Sequence, residues 1–151
     1  MPDPTGSWVV LMPAFLGTYL ISMEDTGRIR LPGTMAELFK DLAVLVYGER
    51  PCVEIYPPSS WETLLEEISR GPKPWSEDFE WKVRQKTRSF KEAEIKGKGR
   101  LTIPKEHRTY GRLTHTEDLI VIGMIDHIEI WSQERFKDAE EIHRAKQMFG
   151  R

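Results

Sequence analysis

The chain has 151 residues, of which 39% are hydrophobic and 30% charged, and a net charge of −2. That balance is globular rather than disordered and fits one domain or two closely packed halves. No apolar run is long enough for a membrane helix, and the single cysteine, Cys52, excludes an intrachain disulfide or a cysteine zinc cluster.

The uncharged stretch over residues 8–23 follows Asp3 and is broken by Pro13 and Gly17. It reads as an extended arm over 1–14 leading into a strand over 15–21, not as a leader peptide, so the default address is cytoplasmic. Glu24-Asp25-Thr26-Gly27 has turn composition. Arg28-Ile29-Arg30-Leu31 alternates polar and apolar, which predicts a strand with one wet face, stopped by Pro32. Thr34 and Glu37 fit a capping box, predicting a short helix over 35–40. Strands follow over 44–46 and 53–56, joined by Gly48-Glu49-Arg50-Pro51. Ser59 and Glu62 fit a second capping box for a helix with Trp61, Leu64, Leu65 and Ile68 on one face and Gly71 as its stop. Gly71-Pro72-Lys73-Pro74 is a linker, and Ser76 caps a helix running to Thr87. A strand over 89–95, a flexible turn Lys96-Gly97-Lys98-Gly99 and a strand over 100–103 come next. Strands over 119–122 and 127–131 precede a helix from Gln133, with Phe136, Ala139, Ile142 and Met148 or Phe149 on its apolar face.

The chain says one thing twice. Gly27-Arg28-Ile29-Arg30-Leu31-Pro32 recurs 72 residues later as Gly99-Arg100-Leu101-Thr102-Ile103-Pro104. Glu54-Ile55-Tyr56 recurs 75 residues later as Glu129-Ile130-Trp131, so three residues are inserted between the blocks. Two copies are too few for a solenoid, and halves of this size bury too little surface alone. The pattern predicts a pseudo-dimer whose halves pack around an approximate two-fold axis and share one core.

Charge is segregated. Between Lys82 and Arg112 stand eleven Lys or Arg residues against Glu92, Glu94 and Glu106, giving +8 there and −10 over the rest. A local field of that kind, around one copy of the repeated motif, points to a polyanion.

The doubled motif, each copy followed by strands, a Glu-Ile-aromatic block and a helix, resembles the tandem swapped-hairpin domains of the MraZ family, built from the DNA-binding domain of AbrB and SpoVT. The resemblance covers residues 15–136. It implies an α+β fold of two such modules, residues 15–70 and 88–136, forming a double-split β-barrel about a pseudo-two-fold. Residues 1–14 would be an arm, 71–87 a linker and helix, and 137–151 a C-terminal helix. It further implies a transcriptional repressor of the division and cell-wall gene cluster, nucleoid-associated, binding promoter repeats in double-stranded DNA as a homo-oligomeric ring, with no cofactor, metal or small-molecule substrate. The family places an acid four residues before the motif arginine. Here Glu24 precedes Arg28, but Lys96 precedes Arg100, so Gly97 and Gly99 are expected to shape that turn. A further basic residue lies eight positions after the motif arginine, which Arg108 matches and Ala36 does not.

The chemistry suits that reading. Guanidinium groups on Arg28, Arg30 and Arg100 offer planar forks for a guanine edge or a phosphate. Lys96, Lys98 and Lys105 would neutralise phosphates, with Glu24, Thr102 and Arg108 completing the interface. The second half is expected to dominate, holding Lys96, Lys98, Arg100, Lys105 and Arg108 around one turn. The competing role for Arg28 and Arg100 is an ion pair inside the fold. Rival functions are an oligomeric scaffold that has lost DNA binding and an AbrB-like antitoxin. An enzyme is excluded by motif: His107, His115, His127 and His143 share no metal spacing, and no phosphate-binding loop or nucleophile elbow is present.

Overall fold

A computed structural model of the chain describes residues 14–150. The arm expected over 1–14 therefore lies, apart from Ala14, outside the described residues. The first half contributes β1 (Thr18–Ile21), β2 (Arg28–Arg30), α1 (Gly33–Phe39), β3 (Leu42–Tyr47), β4 (Val53–Tyr56) and α2 (Pro58–Arg70). After α3 (Glu77–Arg88) the order repeats as β5 (Lys91–Glu94), β6 (Arg100–Thr102), α4 (Lys105–Gly111), β7 (Leu119–Gly123), β8 (Ile128–Trp131) and α5 (Gln133–Met148). Residues 133–136 thus already belong to the last helix.

Six strands form an antiparallel sheet in the order β1-β7-β8-β4-β3-β5, while β2 and β6 pair with each other as a separate ribbon. Exchanging the halves reads the sheet order backwards unchanged. The approximate two-fold passes between Glu54 and Glu129, which face each other across β4 and β8, and between Ile29 and Leu101 on the ribbon. Each half lends its first strand to the other: β1 pairs with β7 and β5 with β3. The α+β class holds, but the strands do not close into a barrel among the described residues. The sheet ends in two open edges, β1 and β5, because β2 and β6 bond to each other rather than to those edges.

The halves share a core, as their size requires. Ile29, Leu31, Leu101 and Ile103 beneath the ribbon meet Leu45, Val53, Ile55, Ile128 and Ile130 of the sheet. Strand alternation sends Val44, Val46 and Tyr56 to the opposite face, where Trp61 of α2 covers them.

Neither expected capping box forms. Pro32 and Pro57 hold the cap positions of α1 and α2, with no side-chain bond. Proline's fixed φ starts these helices instead. Ser76 does cap α3, accepting from the Phe79 N–H at 3.1 Å. In α5 no residue is buried, and Ile142, Met148 and Phe149 are exposed. The helix is anchored at its start, where the Phe136 ring meets Trp131 edge-on at 5.3 Å.

His107 docks α4 against the sheet. Its ring is fully buried, Nε2 donates to the Ser89 carbonyl at 2.8 Å, and Nδ1 has no hydrogen-bond partner among the described residues. Burial holds its pKa below the usual histidine value of 6.5, against the pull of backbone hydrogen bonds. The unfolded chain therefore binds the extra proton first. Stability should be full above about pH 6.5 and fall as pH drops through the lower folded value, levelling off below it. Urea unfolding of the wild type and His107→Gln across pH 7 to 5 checks this: the variant should lose less stability over that window, and parallel losses would refute it.

Candidate nucleic-acid interface

The ribbon is short and its two faces differ. Arg28 pairs with Thr102, Ile29 with Leu101 and Arg30 with Arg100. Strand alternation buries Ile29 and Leu101 and turns Arg28, Arg30, Arg100 and Thr102 out to solvent. Arg30 and Arg100 sit directly opposite each other, an arrangement that is unfavourable unless an anion lies against it. Arg28 and Arg100, from different halves, line one depression of about 560 Å³ together with Lys96, Thr102, Ala93 and Glu94.

Both ends of the ribbon are closed by the same backbone pattern. The Glu24 N–H donates to the Arg28 carbonyl at 2.9 Å and the Lys96 N–H to the Arg100 carbonyl at 2.9 Å. Gly27 donates to the Glu24 carbonyl and Gly99 to that of Lys96. No acidic side chain is needed to order either turn, which is why Lys96 replaces the expected acid without disturbing it. Gly97 is not needed either: the left-handed positions are Lys98 and Gly99, at φ 65° and 74°.

The two motif arginines differ in freedom. Arg28 is held in a fork, its Nε 2.6 Å and its Nη2 3.1 Å from the Glu24 carboxylate. The hydrogen bond from Arg28 keeps the Glu24 pKa low, with further attraction from Arg28 itself, Arg100 and Arg30. Arg100 spends only its Nε, donated to the Gly97 carbonyl at 3.1 Å. Its terminal nitrogens make no protein hydrogen bond among the described residues, so the planar end of Arg100 is the more available fork. The internal ion pair weighed for both arginines is formed by Arg28 alone.

The cations do not gather where sequence order suggests. Because β2 and β6 run antiparallel, the 24–27 turn lies beside the start of α4, and the 96–99 turn beside α1. The Ile103 N–H donates to the Gly27 carbonyl at 2.9 Å, and the Leu31 N–H to the Gly99 carbonyl at 2.8 Å. Arg108 packs against Gly27, its Nε donating to the Ile103 carbonyl at 3.0 Å. Arg108, and Lys105 one turn before it, thus stand with the acidic turn of the first half, not around the turn of Lys96 and Lys98. One end of the ribbon carries Lys96, Lys98, Arg30 and Arg100; the other mixes Glu24, Asp25, Arg28, Lys105 and Arg108. The α3 portion of the basic window lies elsewhere. Lys86 is buried on Glu54, Lys82 pairs with Asp78, and Arg84 and Arg88 lie over the rings of Trp81 and Tyr47.

On the other face of the sheet, Glu54, His127 and Glu129 place their donor atoms within 4.8 Å of one another. Such a set has the composition of a metal centre, but its groups are already engaged. Glu54 accepts from Lys86 Nζ at 2.8 Å and from the Tyr56 hydroxyl at 3.0 Å. Glu129 accepts from Trp131 Nε1 at 2.9 Å, and His127 Nδ1 is bonded to Asp126 at 2.6 Å. The ammonium of Lys86 already supplies a positive charge to Glu54, and burial raises the Cys52 thiol pKa, so the thiol stays protonated.

The family model described as "MraZ protein, putative antitoxin-like" matches residues 14–77 and again 90–149. Among curated relatives, the chain is similar to the transcriptional regulator MraZ of Mycobacterium ulcerans, 29% identical over 131 residues, covering 85% of this chain and 88% of the relative. The protein of the same name from Mycobacterium tuberculosis H37Rv is 28% identical over the same length and shares. That from Mycolicibacterium gilvum is 29% identical over 129 residues, again covering 85% and 88%.

Proposed function

Because the chain belongs to the MraZ family, whose curated relatives are named transcriptional regulators and not enzymes, we propose that it regulates transcription by binding double-stranded DNA through the β2–β6 ribbon. One observation carries the reading: motif arginines from both halves lie on one exposed ribbon face, with Ile29 and Leu101 anchoring it below. A two-stranded ribbon fits the major groove, where a free guanidinium fork clamps a guanine edge. Lys96 and Lys98 add sequence-independent grip on phosphates, and Arg30, Thr102, Lys105 and Arg108 extend it. Glu24 acts on DNA only indirectly, by aiming Arg28.

In this reading residues 15–70 and 88–136 are two AbrB-like modules of the swapped-hairpin kind, which the exchange of β1 and β5 between halves supports. The chain acts as a repressor of the division and cell-wall gene cluster, in the cytoplasm on the nucleoid. Several copies join in a ring that engages promoter repeats, so that weak contacts add by avidity. The open edges of the sheet and the exposed Ile142, Met148 and Phe149 of α5 supply surface for contacts between copies.

The test is a gel shift with DNA from upstream of the protein's own gene, against a scrambled duplex, over a salt series. Arg100→Ala should weaken specific binding by about 1–3 kcal/mol. Arg28→Ala should cost less, because Arg28 is tied to Glu24. Equal losses would show that the two halves contribute alike. No loss from either variant, in a protein that remains folded, would favour the scaffold.

A further inference from the structure

The α4 helix presents one face to a second cleft, of about 720 Å³. Lys105, Arg108 and Thr109 line its near wall, at spacings of three and four residues that stack them on one helical side, and Arg112, the left-handed cap that ends the helix, continues it. Glu117 and Glu134 stand in the remaining lining. Neither forms an ion pair with the near wall: the five ion pairs among the described residues include none of Lys105, Arg108 and Arg112, and the three cations outnumber the two carboxylates.

The fold does not need cations at 105 and 108, whereas the helix-end position holds a cation in both halves. At the repeat offset of 72, the first half has Gly33, Ala36, Glu37 and Lys40 in their places. Its helix α1 nonetheless ends in the same way, with Lys40 at φ 53° where Arg112 has φ 52°. The cleft is also continuous with the ribbon. Arg108 lines the cleft and packs on Gly27, so the cleft starts where the ribbon ends, on the side of the 24–27 turn.

We infer that this cleft is a second DNA-backbone site, holding a phosphodiester beyond the stretch that the ribbon covers, with Arg112 as its outermost cation and Thr109 as a neutral donor. The inference rests on the DNA-binding reading above. Guanidinium groups take phosphate oxygens in a fork, and such contacts add affinity and register without reading sequence. Since α1 keeps only Lys40, with Gly33, Ala36 and Glu37 at the other corresponding places, the grip is stronger at the α4 end.

Fluorescence anisotropy with two duplexes tests it: the minimal bound sequence, and the same sequence lengthened by about one helical turn on each side. The wild type should bind the longer duplex more tightly. Arg112→Gln should lose that gain, about tenfold, and lower the salt slope on the long duplex by about one, while binding the short duplex like the wild type. Arg112→Lys should keep most of the gain. Unchanged binding of Arg112→Gln to the long duplex, equal loss on both duplexes, or a wild type indifferent to length would each overturn the cleft while leaving the ribbon reading intact. A folded wild type that binds neither duplex at low salt would overturn the ribbon reading, and the cleft with it.

Discussion

Replacing Lys86 with methionine is expected to destabilise the protein by about 3–5 kcal/mol, the usual loss when one partner of a buried ion pair is removed. The reason lies on the pseudo-two-fold. Glu54 and Glu129 are equivalent residues of the two halves, and the axis brings them face to face across β4 and β8. Two like charges so placed repel. Lys86 reaches in from α3, with its Nζ 2.8 Å from Glu54 and its side chain 11% exposed against 9% for the carboxylate. The methionine stem keeps the packing but leaves two adjacent carboxylates with no ammonium between the sheet and α3. The measurement is urea unfolding at neutral pH. Adding Glu54→Gln to Lys86→Met should recover more than half of the loss, since the amide carries no charge and its oxygen can still accept from Tyr56. If Lys86→Met alone stays within about 1 kcal/mol of the wild type, water reaches these carboxylates and the buried-pair argument fails.

The same residue shows what sequence order hides. Lys86 counts toward the basic window along the chain, yet it is a core residue on the face of the sheet away from the ribbon. The helical period of α3 allowed its elements to be placed, and the Ser76 cap was legible for the same local reason. Repeats were legible because they are copied text: the equivalence of Ile29 with Leu101 and of Glu54 with Glu129 needed no coordinates. What could not be read was which half pairs with which. Strand pairing is non-local, and a hairpin that folds back on its own half has the same alternation as one lent to the other. That choice moved Arg108 and Lys105 from the turn of Lys96 to the turn of Glu24. It also left a separate two-stranded ribbon and an open six-stranded sheet. The capping boxes failed for a local reason: a proline stands two residues before each candidate cap, takes the cap position itself and starts the helix two residues earlier. The charge of the two ends of the ribbon follows from the exchange as well. The acidic turn of one half meets the basic helix of the other, and the basic turn meets a helix with almost no charge.

Gly27→Ala and Gly99→Ala are expected each to cost about 2–5 kcal/mol, combining about 1–2 for a left-handed backbone with about 1–3 for overpacking. Their φ angles are 92° and 74°. A Cβ on Gly27 would lie 2.9 Å from the Ile103 carbonyl oxygen, and one on Gly99 2.9 Å from that of Leu31. These are the points where the turn of one half is bonded to the strand of the other, so neither oxygen can retreat without breaking the ribbon. Arg108 also crowds Gly27, at 2.7 Å, but the end of a long side chain can move. Backbone contact, not charge, sets the loss, and the two substitutions should therefore match even though their turns are acidic and basic. Gly97→Ala is the control. It lies in the same turn as Gly99 with open space around it, and should stay within about 0.5 kcal/mol of the wild type. Chemical unfolding of the three variants decides the matter, with DNA binding read on the folded fraction. Gly27→Ala and Gly99→Ala should weaken binding to specific and scrambled duplexes, because the ribbon that carries every motif arginine loses its shape. A harmless Gly27→Ala, or a Gly97→Ala as damaging as Gly99→Ala, would mean that the turns are shaped by their side chains after all.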